Sequence, residues 1–161
     1  MKQFYEIFKG IDFSECSKCN SQCCFFPWLL KEEYSVHLDC FGKTVTQINS
    51  TAFVLDKHRC KYVTKCRCGI YDTRPLDCRL FPLDIIEEKD AYYWCIFTVC
   101  PFHLTIRKKL IPLIEKLEKM ITREIFDQYK KQISVTKKIY LPYKNKQYEK
   151  IKEFTPQGFK I

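Results

Sequence analysis

Glycine is scarce in this chain of 161 residues, which holds only four: Gly10, Gly42, Gly69 and Gly158. No two of them are close together, so the sequence contains neither a glycine-rich phosphate-binding loop nor a GxGxxG turn. This absence excludes a P-loop nucleotide hydrolase. It also argues against a Rossmann dinucleotide-binding unit.

Long apolar segments are missing as well. The longest stretch without a formal charge is Ala91–Ile106, which falls short of the roughly 20 apolar residues of a membrane helix. The first residues lack the apolar core and small-residue cleavage site of a secretory signal. The sequence therefore predicts a cytoplasmic protein without membrane contact, where reducing conditions favour metal binding or thiol redox chemistry over disulfides.

Cysteine, by contrast, is abundant. All 11 cysteines precede residue 101, and residues 1–100 carry 13 basic and 13 acidic side chains. Residues 101–161 carry 15 basic and 6 acidic side chains, an excess that equals the whole formal net charge of +9. This division predicts a cysteine-rich metal-binding module over residues 1–103. A basic helix and a C-terminal strap, residues 104–161, are predicted to pack on the same domain.

The local patterns of the cysteine-rich part favour short elements. Residues 3–9 predict a short helix, and the β-branched residues 44–55 predict one or two strands. Residues 83–86 and 91–97 flank a polar stretch of four residues, Glu87–Asp90, and predict a β-hairpin.

The basic part has helical periodicity. Apolar residues close to the 3.6-residue period predict one amphipathic helix from about Leu110 to Lys131. Pro112 would be tolerated in the first turn of this helix, or would kink a helix that began near Phe102. An irregular basic tail follows, with a short helix around residues 147–154. The predicted fold class is therefore α+β: a small, irregular, metal-stapled cysteine module with a β-hairpin, followed by this helix and tail.

The first cysteine group is Cys16-x2-Cys19-x3-Cys23-Cys24. A two-residue spacer lets two thiolates converge on one centre from a tight turn. The adjacent pair Cys23-Cys24 cannot point the same way in an extended chain. One of the two is expected to serve this centre, and the other a second centre or the core.

The second group comprises Cys60, Cys66, Cys68 and Cys78, and Cys95 and Cys100 follow it. So many thiols exceed the need of one structural core and indicate a metal site. We expect both groups to face a common centre, with the residues between them looping out. Cys40 stands alone and is better interpreted as a buried structural thiol.

These motifs resemble a known family. The opening group, the segment Cys68-Gly-Ile-Tyr-x-x-Arg-Pro-x-x-Cys78-Arg-x-Phe-Pro and the pair Cys100-Pro101 resemble the YkgJ-type zinc- or iron-chelating cysteine-cluster proteins. The module is also similar to one in flagellin lysine N-methylases. The resemblance covers roughly residues 14–103. It implies metal ligands at the family positions Cys16, Cys19, Cys23, Cys24, Cys60, Cys68, Cys78 and Cys100.

The chain departs from the family pattern in several places. Three residues rather than two separate Cys19 from Cys23, and Cys40 and Cys95 have no family position. Cys66 lies so near Cys68 that the two are alternatives for one ligand position.

Two kinds of metal centre fit the cysteine set. Zinc suits four thiolates, or three thiolates and a histidine, whereas an iron–sulfur cluster takes four thiolates and tolerates irregular spacing. The resemblance to the methylase module favours a 4Fe-4S cluster, with zinc as the alternative. His58 and His103 could complete a mixed site, although a single histidine is more often structural.

The arginines beside the second group have two interpretations. Arg67, Arg74 and Arg79 could offset the charge of a metal centre and tune its potential. Alternatively, Arg74 pairs with Asp72 or Asp77 in a local turn.

The predicted function is that of an iron–sulfur protein in electron transfer, or of an accessory or maturation factor for a protein partner. The alternative is a structural zinc module that binds nucleic acid or an acidic partner. Lysines interleaved with Tyr140, Tyr143 and Tyr148 could stack on single-stranded nucleic acid. They could equally strap aromatic rings onto the core, and the strap is favoured, so nucleic-acid binding is expected to be weak and non-specific. No catalytic set marks an enzyme.

Overall fold

The structure is a computed structural model that describes residues 2–19, 27–34, 37, 45–49, 52–55, 60, 62–64 and 67–155. The chain divides into two units, Met1–Leu80 and Phe81–Ile161. The structure combines helices with antiparallel sheets, which confirms the α+β class. The first unit ends at Leu80, whereas the predicted cysteine-rich module extends to residue 103. The residues of the predicted hairpin, Cys95 and Cys100 therefore belong to the second unit.

The first unit begins with the predicted short helix, α1 (Lys2–Ile7), and a 3₁₀ turn, Ser14–Lys18. Three antiparallel strands follow in the sheet order β1-β3-β2: β1 (Trp28–Leu30), β2 (Val45–Asn49) and β3 (Ala52–Leu55). The two strands predicted within residues 44–55 are therefore confirmed. All three residues of β1 are buried.

The second cysteine group spans the rest of this unit. A small hairpin joins β4 (Val63–Thr64) and β5 (Arg67–Cys68). A 3₁₀ turn (Tyr71–Thr73) and the helix α2 (Leu76–Leu80) follow. The buried apolar side chains of this unit include Phe4, Phe8, Phe13, Leu29, Leu76 and Leu80.

The second unit is built on a three-stranded antiparallel sheet with β7 at its centre. Its strands are β6 (Leu83–Glu88), β7 (Ala91–Phe97) and β8 (Tyr148–Glu153), in the order β6-β7-β8. The predicted hairpin is confirmed, but the loop between its strands has two residues rather than four. Lys89 and Asp90 occupy it with φ angles of 52° and 62°, as a type I′ turn requires.

Relieving the backbone strain of the two positive φ angles in this turn is expected to stabilise the second unit. Residues with a Cβ adopt positive φ at a cost of about 1–2 kcal/mol, whereas glycine does so freely. The double substitution Lys89→Asn, Asp90→Gly should raise the free energy of unfolding by about 1 kcal/mol, measured by urea denaturation. Asp90→Ala is the control, because it removes the side-chain functional group but keeps Cβ. An equal gain in that control would contradict a backbone origin of the effect.

The predicted helix from Leu110 to Lys131 is wrong as a single element. The structure breaks it at a 3₁₀ turn, Ile111–Leu113, which contains Pro112, and again before Thr122, whose side chain accepts a hydrogen bond from the Ile125 N–H. Proline lacks the N–H that a continuous helix needs, and threonine starts a new helix as its N-cap. The resulting helices are α3 (His103–Leu110), α4 (Ile114–Met120), α5 (Arg123–Ile139) and α6 (Leu141–Lys144).

The short helix predicted around residues 147–154 is also wrong, because that segment forms β8. Tyr148 and Ile151 are half-buried while the residues between them are exposed, a spacing of three that imitates a helical period. Pairing with β7 overrides this local pattern. The register shifts between Trp94 and Cys95 of β7.

Aromatic rings of the basic segment pack on this sheet. The ring of Phe97 lies 5.3 Å from that of Tyr140 and 6.0 Å from that of Tyr148, measured between centroids. The buried Tyr143 lies 5.8 Å from Tyr148, and its hydroxyl donates to the Glu87 carbonyl at 2.7 Å. These rings are therefore engaged with the protein itself.

Lysines of the same segment pair with carboxylates distant in sequence. Lys137 contacts Glu87 at 2.5 Å and Lys150 contacts Glu88 at 2.7 Å. Lys152 contacts Glu118 at 2.8 Å. Part of the positive charge of the segment is thus compensated within the second unit. No helix in the described part of the chain is both long and apolar enough to span a membrane.

Candidate metal centre

Two half-buried thiols of the first group come from one tight turn. The Asp12 carboxylate accepts hydrogen bonds from the N–H and the hydroxyl of Ser14, at 2.8 and 2.9 Å, where the 3₁₀ turn begins. The Cys16 N–H donates to the Phe13 carbonyl at 2.9 Å, and the Cys19 thiol donates to the Cys16 carbonyl at 3.4 Å. The local backbone therefore keeps Cys16 and Cys19 near each other.

The β4–β5 hairpin links two thiols of the second group. Val63 pairs with Cys68 across the hairpin, and the Val63 N–H donates to the Cys60 carbonyl at 3.1 Å. The Gly69 N–H closes the hairpin by donating to the Tyr62 carbonyl at 2.8 Å. Cys60 packs against the buried Leu29. Cys60, just before the hairpin, and Cys68, in its second strand, are thus positioned by the same short element.

One segment of each cysteine group contacts the other within the first unit. β5, which carries Cys68, contacts the Ser14–Lys18 turn, which carries Cys16. This contact brings together segments that are about fifty residues apart in the sequence. It is the kind of approach that a centre shared by both groups requires.

Cys78 lies on α2, which a buried carboxyl group holds in place. Glu33, in the helical residues 31–34, is only 1% exposed. Its Oε1 accepts hydrogen bonds from the Leu76 N–H at 2.5 Å and the Tyr5 hydroxyl at 2.8 Å, and its Oε2 accepts one from the Leu30 N–H at 3.0 Å. Burial raises the pKa of Glu33. One side chain therefore ties α1 and β1 to the helix that carries Cys78.

A second buried carboxyl group connects α2 to β1. The Asp77 Oδ2 accepts a hydrogen bond from the Trp28 N–H at 3.0 Å. Burial, with a smaller contribution from Glu33, raises the pKa of Asp77 to about 7. Neither carboxyl group was identifiable as a connector from the sequence. Glu33 follows Lys31-Glu32 and resembles a solvated charge run, and the spacing of Asp77 from Arg74 suggested only a local ion pair.

Among the described residues, Arg74 does not form the ion pair that one of its two interpretations required. The Arg74 Nε donates to the Tyr71 carbonyl at 3.0 Å, and the described ion pairs include none between Arg74 and Asp72 or Asp77. Asp77 is instead committed to the Trp28 backbone. The side chain of Arg67 lies outside the described part of the structure.

The structure places six of the eight family cysteines. Five are half-buried thiols of the first unit, and Cys100 is a buried thiol of the second. The five are Cys16, Cys19, Cys60, Cys68 and Cys78. Four cysteines and one histidine of the sequence analysis lie outside the described residues: Cys23, Cys24, Cys40, Cys66 and His58.

The described residues do not by themselves assemble a complete ligand set. Within residues 2–155, apart from the segments that the structure leaves out, no three His, Cys, Asp or Glu side chains are gathered closely enough to hold a metal ion. The donor chemistry nevertheless suits a cluster or zinc, because the described cysteines are thiols rather than disulfides. The common centre therefore stays a prediction.

The His103 side chain has a local hydrogen-bond partner, so a structural role explains it without a metal. Its Nδ1 lies 2.7 Å from the Cys100 carbonyl oxygen, to which it can donate a proton. The His103 N–H donates to the same carbonyl at 3.0 Å. These bonds fix the turn that leads into α3.

Cys95 is expected to be chemically inert in the native protein. It is fully buried in the central strand β7, and burial raises its pKa well above the ordinary thiol value. Because the thiolate is the reactive form, iodoacetamide should label Cys95 at least about 100-fold more slowly in the native protein than in urea. Peptide mass spectrometry measures this ratio, and the half-buried Cys60 serves as the comparison. Equal labelling of both cysteines in the native protein would contradict the burial.

Comparison with known proteins supplies no relative. The chain matches no protein-family model, no curated protein and no solved structure.

Proposed function

We propose that this chain binds an iron–sulfur cluster, of the 4Fe-4S type, through the cysteines of its first unit. The contact between β5 and the Ser14–Lys18 turn is the observation that supports this most directly. It unites a Cys16–Cys19 pair with the hairpin of Cys60 and Cys68. The resemblance to the methylase cysteine module supports iron over zinc.

The ligand pool is larger than four. It comprises the five described thiols of the first unit, to which the family resemblance adds Cys23 and Cys24. Since no three ligands are gathered among the described residues, a complete set would draw on cysteines outside them. A bound cluster would supply a one-electron couple. The protein's role is then to pass electrons to a protein partner or to support that partner's maturation.

Metal analysis of protein purified without oxygen tests the proposal. The expected result is a brown protein with visible absorbance and with iron and sulfide in stoichiometric amounts. A colourless protein with stoichiometric zinc and no iron would contradict the cluster and support the structural zinc module instead.

Nucleic-acid binding is expected to be weak and governed by salt. Tyr140 and Tyr148 are packed on Phe97, which disfavours stacking of their rings on bases, and three lysines are paired with glutamates. The affinity for a labelled single-stranded oligonucleotide should fall at least about tenfold between about 50 and 200 mM salt. Fluorescence anisotropy measures this. Tight binding of one defined sequence at physiological salt would instead favour the nucleic-acid alternative.

A further inference from the structure

β1 has a backbone edge that faces away from the rest of its sheet. Among the described strands it pairs with β3 alone, in the order β1-β3-β2. The N–H groups of Trp28 and Leu30 donate to side chains rather than to β3. Because neighbouring residues of an antiparallel strand direct their backbone groups to opposite sides, Leu29 faces Phe53 of β3 and the two outer residues face outwards. Such an edge is a template for pairing with another chain.

Two carboxyl groups occupy this edge. The Asp77 Oδ2 accepts a hydrogen bond from the Trp28 N–H, and the Glu33 Oε2 accepts one from the Leu30 N–H, each at 3.0 Å. Residues two positions apart on a strand are about 6.8 Å apart, so the two N–H groups have the spacing at which a neighbouring strand presents its carbonyl groups. The two carboxyl oxygens therefore lie where the carbonyl oxygens of a further strand would bind.

Other contacts fix both carboxyl groups in place. The second oxygen of Glu33 accepts hydrogen bonds from the Leu76 N–H at 2.5 Å and the Tyr5 hydroxyl at 2.8 Å. Asp77 lies on α2, which contacts β1. β1 itself has no charge, proline or bulge, the features that usually protect an edge. Among the described residues, closure of this edge therefore depends on Glu33 and Asp77.

We infer that Glu33 and Asp77 close the edge of β1 against pairing with a second copy of this chain. A second copy is the partner because the edge is self-complementary. With two copies antiparallel, Trp28 of each lies opposite Leu30 of the other, and Leu29 faces its equivalent on a twofold axis. Both outward N–H groups of each copy then meet carbonyl oxygens, and two three-stranded sheets become one. The inference needs no metal and stands apart from the proposed cluster.

Removal of the Asp77 acceptor tests the inference. Asp77→Leu keeps nearly the size of the side chain without an acceptor, whereas Asp77→Asn keeps an amide oxygen in the same place. Under reducing conditions, which prevent disulfide-linked dimers, Asp77→Leu should self-associate with a dissociation constant at least about tenfold below that of the wild type, as one gained hydrogen bond allows. Asp77→Asn should stay within about threefold of the wild type. Sedimentation equilibrium of the full chain measures both.

Asp72→Leu is the matched control, because it places the same apolar side chain at an exposed position of the same unit. It should associate no more than the wild type. Unchanged association of folded Asp77→Leu would overturn the inference. Equal association of Asp77→Leu and either Asp72→Leu or Asp77→Asn would also overturn it, since a new apolar side chain or the lost charge would then account for the effect.

Hydrogen–deuterium exchange, resolved to single amides by mass spectrometry, locates the contact. In the wild type, the Trp28 and Leu30 amides should exchange at least about 100-fold more slowly than in an unfolded chain, at every protein concentration. In Asp77→Leu, protection of the Trp28 amide should rise with protein concentration, and association that leaves this amide unprotected would contradict the proposed register. Free exchange of both amides in the wild type would overturn the inference even if Asp77→Leu does not fold.

Discussion

Replacing Cys78 by serine is expected to remove nearly all bound iron and to lower the stability of the first unit. A serine hydroxyl is close to the thiol in size, but it is not ionised at neutral pH and is a poor ligand for iron or zinc. A metal that binds only the folded chain stabilises it by about 4 kcal/mol at a thousandfold excess over its dissociation constant. Cys16→Ser and Cys19→Ser should have the same effect. Iron and sulfide content, followed by urea denaturation, measure it.

Two other cysteines provide matched controls. Cys95→Ala, in the buried strand β7, should keep its full iron content and lose about 1 kcal/mol of stability through the small cavity it leaves. Cys40→Ser, outside the described residues, should also keep its iron. Full iron content in Cys16→Ser, Cys19→Ser and Cys78→Ser would remove these three cysteines from the site.

Loss of the Glu33 carboxyl group should destabilise the first unit by about 4 kcal/mol, since an unsatisfied buried polar group costs about 1–3 kcal/mol. Glu33→Ala leaves the Leu30 and Leu76 N–H groups and the Tyr5 hydroxyl without their acceptor. Glu33→Gln should lose less, because one amide oxygen can replace Oε1, which accepts two of the three hydrogen bonds. The graded loss distinguishes hydrogen bonding from simple packing.

The two tryptophans allow each unit to be followed separately. Trp28 lies in β1 of the first unit and Trp94 in β7 of the second. In a Trp94→Phe background, the fluorescence of Trp28 reports urea unfolding where Glu33 acts. Glu6→Ala is the control, because Glu6 is exposed and pairs only weakly with Lys9 at 3.6 Å, so its loss should stay within about 0.5 kcal/mol. Equal stability of Glu33→Ala and this control would contradict the role of Glu33.

Local patterns predicted the elements whose stability is local. The two apolar stretches that flank the polar residues 87–90 predicted the β6–β7 hairpin, and the β-branched residues 44–55 predicted β2 and β3. The continuous helix failed because apolar periodicity does not register the break before Thr122, and because Pro112 is compatible both with the first turn of a helix and with a kink. β8 was missed because its partner β7 lies about fifty residues earlier, and no local signal encodes that pairing.

The residues of the candidate site could likewise be predicted only in part from the sequence. Sequence spacing selected the cysteines, because thiols repeated at short intervals are typical of metal binding. Spacing could not select Glu33, whose value depends on three donors from separate segments. Nor could it choose between the two interpretations of Arg74, because only folding reveals that Asp77 binds the Trp28 backbone and that aromatic rings surround the guanidinium.

The late position of β8 has a consequence for synthesis of the chain. β7 carries the buried residues Trp94, Ile96 and Phe97, and one of its two edges is covered only by β8. Until Tyr148–Glu153 has left the ribosome, that edge offers unpaired backbone groups beside large apolar side chains. A nascent chain stalled or cleaved before Tyr148 would therefore be a template for pairing with other chains. Strand β8 therefore protects this edge of β7 against aggregation.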